Sequence, residues 1–161
     1  LHNIQFDEGK VEYVDNPLSG LGWASGTTDF VGGSPTHAPK CKCENKKWRI
    51  DLTWVMKLRT RIAGMNAKHP ESGKSRTKEG VAKTERHEAY HRANLKKLFD
   101  EVRDSYNLSA SWSDWLSCQR ALTPLSEENK SKIDARIRDE RNHTGALWGA
   151  WFKENGKEGV W

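Results

Sequence analysis

The sequence predicts an α+β domain in which a small antiparallel sheet packs against two long helices, and three stretches carry that prediction. In Lys46–Ile62 the residues Trp48, Ile50, Leu52, Trp54, Met56 and Leu58 all fall on even positions, with Arg49, Asp51, Thr53, Lys57 and Arg59 between them. Strict alternation of this kind marks a long strand with one buried face and one wet face. Further on, Thr84, His87, His91, Leu95, Leu98 and Val102 recur at helical spacing. They predict an amphipathic helix over 81–106, with Arg86, Lys96, Lys97 and Arg103 toward solvent. The stripe Ile133, Ile137, Glu140, Thr144, Leu147 and Trp151 predicts a second helix over 126–154. It opens at LSEEN, where the Ser126 hydroxyl is placed to cap the first turn and the following acids suit the positive end of the helix dipole.

Ahead of the long strand, residues 1–45 hold NIQF and VEYV, two short runs of strand character separated by the turn-forming DEGK. Residues 16–40, NPLSGLGWASGTTDFVGGSPTHAPK, are dense in Gly, Ser, Thr and Pro and read as a long connection of the kind that tends to carry function. Asn66–Gly80 is polar, contains Pro70 and Gly73, and reads as a loop. Between the helices, Asn107–Pro124 predicts a turn and a short helical piece carrying Trp112, Trp115, Leu116 and Cys118. Gly145 and Gly149 weaken the second half of the last helix, and Gly156 is placed to end it. No internal repeat or low-complexity tract interrupts the chain, and its 161 residues are expected to form one domain.

Composition narrows the function classes. The chain has a net charge of +5 and a pI near 9.1, but its 27 basic and 22 acidic residues are intermixed. A nucleic-acid footprint would cluster Lys and Arg on one face beside stacking aromatics, so no nucleic-acid partner is expected. No apolar run approaches the roughly 20 residues needed to cross a bilayer, so no membrane association is expected. The chain opens on Leu1 rather than Met, which leaves room for a removed signal sequence. Cys41, Cys43 and Cys118 do not form the paired CxxC units of a zinc ribbon. One disulfide from Cys118 to either Cys41 or Cys43, leaving one thiol, is the expectation, and it suits a secreted or periplasmic protein.

The chemistry is concentrated in RHEAYH, Arg86–His91. Residues i and i+4 stand one above the other on a helix, so His87 and His91 can direct ring nitrogens at one ion, and Glu88 projects beside them. This is the HExxH arrangement of a zinc hydrolase, in which the ion lowers the pKa of water toward about 7 and polarises a carbonyl, while the glutamate accepts a proton and returns it to the leaving amine. The competing reading, two ordinary histidines on a wet helix, is weakened because both lie on the inward stripe. A catalytic Zn2+ needs a third protein ligand. Asn94 stands where the extended single-stretch signature would require a glycine, so the third ligand must come from elsewhere. The segment DARIRDERNHTGALWG offers His143, with Glu140 and Asp139 as alternatives; Asp139 could equally orient an imidazole. His37, on the Gly/Pro-rich stretch, is a weaker candidate, and His2 and His69 are expected to be solvated.

Taken together, CKCENKKWRIDLTWVMKL, RHEAYHRAN, LSCQRAL and DERNHTGALWGAWF resemble a bacterial family of predicted secreted zinc-dependent proteases known as domain of unknown function 922. The resemblance covers about the last two thirds of the chain. It implies a zincin-like fold, a zinc peptidase with His87 and His91 as ligands and Glu88 as base, and it supports the disulfide. Aligned on Gly145, the histidine the family carries in the last segment falls at Thr144, with His143 displaced by one residue. The expected function is therefore zinc-dependent metallopeptidase activity on a peptide or protein substrate, with His143 as third ligand, in a monomer. A sheet edge would present the substrate by strand addition. The alternative is a non-catalytic protein- or glycan-binding module that uses some of the eight tryptophans, among them Trp23, Trp112, Trp115 and Trp161, as its contact surface.

Overall fold

The computed structural model describes residues 2–15, 18–19, 23–69 and 72–155, with side chains described for 2–15, 25–69 and 72–140. The alternating segment is the axis of the molecule, a strand of 17 residues, β7, Lys47–Ala63. Of its predicted inward residues, Ile50, Leu52, Trp54, Met56 and Leu58 are buried and Trp48 is half-buried, while Thr60 and Ile62 extend the same face. Strands β1 (Asn3–Asp7), β2 (Val11–Val14), β5 (Gly26–Phe30) and β6 (Thr36–Glu44) each pair with β7, while β3 (Leu18–Ser19) and β4 (Trp23–Ala24) form a separate antiparallel ribbon.

Because β1 and β6 both pair with Thr53, Trp54 and Val55, they occupy opposite edges of β7; β2 and β5 share Thr60, Arg61 and Ile62 in the same way. The expected antiparallel sheet is corrected here. β5 and β6 run antiparallel to β7, but β1 and β2 run parallel to it, so the sheet is mixed. The pairing offset shifts by one residue between β1 and β2, and Gly9 sits in that step with φ +66°. A Cβ there would run into the Leu58 carbonyl oxygen, so only glycine admits the step. Residues 16–40 are likewise not one long connection, since they contain β5 and the start of β6.

Helix α1, Lys78–Ser105, is capped by Thr77, whose hydroxyl accepts the Gly80 N–H at 3.0 Å. Its Leu95, Leu98, Phe99 and Val102 meet the even face of β7, with the Trp54 and Phe99 rings stacked at 5.4 Å and the Trp54 Nε1–H donating to the Phe99 carbonyl. Helix α2 spans Trp115–Asn155 and adds Cys118, Leu122 and Ile133 to this core, with Ile137 packed against it. It starts well before the predicted Ser126. Asp114 accepts the Ser117 N–H at 2.9 Å and caps it, so the short helical piece and the last helix are continuous through Pro124. Acidic residues after Ser126 therefore lie in the helix interior. Trp48 and Trp112 exchange backbone hydrogen bonds, which ties the start of β7 to the connection between the helices. The side chains of Trp23, His143, Thr144, Leu147, Trp148, Trp151 and Trp161, and the whole of Gly156, lie outside the described residues.

Cys41 on β6 is bonded to Cys118 on α2 across 77 residues, and Cys43 is an exposed thiol. Closing a loop of that length removes unfolded-state entropy worth about 4 kcal/mol in the chain-entropy model. Alkylation of the native protein should accordingly label one cysteine, and all three only after reduction and denaturation. Cys118→Ser should lower the urea midpoint by the equivalent of about 2–5 kcal/mol, and a midpoint matching wild type would contradict the assignment.

Candidate functional site

α1 changes character along its length. Its C-terminal half buries Leu95, Leu98, Phe99 and Val102, whereas its N-terminal half buries Thr84, Glu88 and His91. One helical turn brings His87 and His91 together: their Nε2 atoms are 2.9 Å apart and their rings meet edge to face at 4.4 Å between centroids. His91 is buried and His87 half-buried. Two nitrogens bound to one tetrahedral zinc at about 2.0–2.1 Å stand about 3.3 Å apart. The observed separation is a few tenths of an ångström less, so the pair fits such an ion with a small opening of the rings.

The opposite ring nitrogen of His91 meets α2. Nδ1 is hydrogen-bonded to a carboxylate oxygen of Glu140, the other oxygen of which accepts from the Asn94 side-chain amide; the Asn94 carbonyl in turn accepts from Arg136. Nδ1 and Nε2 of an imidazole face away from each other. With the ring in this orientation Glu140 touches the side of His91 remote from His87, the place of an acceptor that orients a ligand rather than of a ligand itself.

Glu88 points into the interface between α1 and β5. It is 2 % exposed, and its carboxylate accepts a hydrogen bond from Thr28 Oγ1 at 2.6 Å. Thr28 also lies 3.1 Å from the buried Thr60 hydroxyl on β7. Burial pushes the Glu88 carboxyl above the usual carboxylate range, opposed by the Thr28 hydrogen bond and by the nearby His91. Room for the carboxylate comes from Gly26, where a Cβ would stand 2.6 Å from Thr84 Cγ2 and 2.8 Å from Glu88 Oε1. Beside this contact, the buried Arg76 donates to the carbonyls of Ser25 and Ala63 and to the Thr84 hydroxyl, and burial lowers its pKa to about 10. The segment before α1 is thereby locked to the end of β7.

The structure brings His87, His91 and Glu140 together and places Glu88 on the adjoining sheet-facing side. The backbone of His143 is in α2 and its side chain is outside the described residues; Asp139 is exposed. Among the described residues no group of three His, Cys, Asp or Glu side chains is arranged to hold a metal. His37 is not near the pair. Its Nε2 is hydrogen-bonded to Tyr106 Oη at 2.8 Å, just past the end of α1, about 22 Å along the helix axis from His91. His2 lies 3.7 Å from Asp51, and His69, expected to be solvated, is buried and accepts the Ser72 N–H through Nδ1.

Gly26, Thr28, Asn94 and Arg136 were not legible as site residues. Asn94 and Arg136 had a signal in their spacing, three after His91 and four before Glu140, which sets each on the face of its neighbour. Thr28 had none, because β5 was hidden in a Gly/Thr-rich stretch. No protein-family model, curated protein or solved structure matches the chain. Gly26→Ala should destabilise the protein by about 1–3 kcal/mol, read as a lower urea midpoint, because both atoms the new methyl meets belong to side chains held in place; a midpoint equal to wild type would refute the close contact.

Proposed function

We propose that the protein is a zinc-dependent metallopeptidase, with His87 and His91 holding the ion, His143 as the third ligand and Glu88 as general base. The observation that carries this reading is the convergence of two helix-borne Nε2 atoms, 2.9 Å apart, beside a buried glutamate from the same turn. Such an ion, when bound, supplies Lewis acidity to a peptide carbonyl and acidifies water. Glu88, raised in pKa by burial, is suited to take a proton at neutral pH and pass it to the departing amine. Thr28 holds that carboxylate in one orientation.

β5 pairs on one edge with β7 and lies against α1 at Gly26 and Thr28. Its other edge carries no strand among the described residues. An extended peptide added there would run past the Glu88 side of the helix. No helix among the described residues is long and apolar enough to cross a membrane, and the Cys41–Cys118 bond suits an oxidising compartment. The disulfide supports a secreted or periplasmic location.

A binding module is the second reading. It is favoured by the depth of Glu88, which could serve only to lock α1 to β5, and by the exposed Trp115 and Leu116 at the start of α2. Elemental analysis and hydrolysis of an unfolded protein substrate separate the two. Wild type and Glu88→Gln should each hold about one zinc per chain and melt alike, with hydrolysis reduced at least about 100-fold in Glu88→Gln; His87→Ala should lose the zinc, and His143→Ala reports on the third ligand. Undiminished hydrolysis by Glu88→Gln, or no zinc in wild type after loading, would overturn the peptidase.

A further inference from the structure

The least expected feature of the site is a chain of polar contacts crossing between the helices: Arg136 to Asn94, Asn94 to Glu140, and Glu140 to Nδ1 of His91. Its members alternate between α2 and α1, and both partners of the central contact are largely buried, with side-chain exposures of 10% for His91 and 12% for Glu140. A carboxylate this far from water needs firm hydrogen-bond partners, and it has donors on both oxygens.

The geometry points to Glu140 as the positioning residue of His91. A carboxylate can only accept, so Nδ1 must carry the proton and Nε2 must present its lone pair on the side where His87 Nε2 stands. A free neutral histidine is under no such constraint. Asn94 prevents the carboxylate from rotating off the ring, and Arg136 fixes which way the Asn94 amide points, since its guanidinium demands the carbonyl oxygen and leaves the amide N–H groups for Glu140. The network thus sets the tautomer of a ligand on α1 from residues on α2. This inference rests on the metal-binding reading for its use, but not for its existence. The proton on Nδ1 is a property of the chain without any ion.

The test therefore has two readouts on the full chain. Nitrogen NMR of the metal-free protein reports which ring nitrogen of His91 is protonated, and chelator competition with zinc alone reports affinity. In wild type the neutral ring should carry its proton on Nδ1. Glu140→Met, which keeps the helix contact without an acceptor, should move the proton to Nε2 and weaken zinc binding about 10–100-fold. Glu140→Gln has one acceptor oxygen for two donors, the Nδ1–H and the Asn94 amide N–H, so it should hold the Nδ1 proton less firmly than wild type and more firmly than Glu140→Met. A residue of purely structural importance would lower the melting temperature and leave the tautomer in place, and that result overturns the inference. Loss of stoichiometric zinc from Glu140→Gln would make Glu140 a ligand and overturn it equally. If wild type binds no zinc, the metal reading falls, and the position of the proton alone decides between Glu140 and a passive contact. Should Glu140→Met fail to fold, Asn94→Ala serves in its place: weaker zinc binding is expected, and unchanged affinity with an unchanged tautomer counts against the network.

Discussion

The sheet depends on one strand. β1, β2, β5 and β6 hydrogen-bond to β7 and to no other strand among the described residues, so β7 alone supplies a ladder for both edges. It also supplies the largest share of the core, Ile50, Leu52, Trp54, Met56 and Leu58. The two demands are compatible only in a strand of strict alternation, because a slip of one residue would turn every core side chain into solvent and misalign four partners at once. Its even face accepts α1 along most of its length, and the position of α1 then fixes where the histidines stand.

Along β7 the packing changes from apolar to polar. Trp54, Phe99 and Val102 make a dry core near one end, while toward the other Thr60 faces Thr28 and, through it, Glu88. Arg76, Ser25 and Thr84 continue that polar layer. Each of these groups has a partner within the layer, as buried polar groups must if they are not to cost several kcal/mol each. The arrangement keeps a carboxylate, a guanidinium and two imidazoles in a region that an apolar core would exclude, and the oily end of the same helix stabilises them in place.

Periodicity made β7 and α1 readable, because a period of two over six positions and a helical stripe over six leave few alternatives. Strand direction was not readable: alternation is the same in parallel and antiparallel strands, and β1 and β2 hold nothing in NIQF or VEYV that distinguishes them. β6 was concealed by Pro39, which a sheet accepts at an edge, and β5 by Gly26, whose missing side chain is the feature that lets Glu88 approach. The start of α2 was masked by Pro124 and by acids after Ser126 that imitate a first turn. Of the site, the histidine pair was explicit in the i, i+4 spacing, and Glu140 was conspicuous as a carboxylate on an apolar stripe. Spacing sets Asn94 and Arg136 on the faces of His91 and Glu140, but the bracing they give depends on how two distant helices meet, which spacing alone does not record.

The covalent bond between β6 and α2 has a mechanical side. Cys118 is buried near the start of α2, and Glu140 stands 22 residues farther along the same helix, a reach of about 33 Å at the usual rise per residue. Over such a lever arm a tilt of about two degrees moves the far end by about 1 Å, more than a hydrogen bond between buried groups tolerates. Leu122, Ile133 and Ile137 bear against the core along that span and act as intermediate supports, with Pro124 close to the anchored end. The disulfide is therefore the anchor of a beam that touches His91 at Glu140, 22 residues farther along.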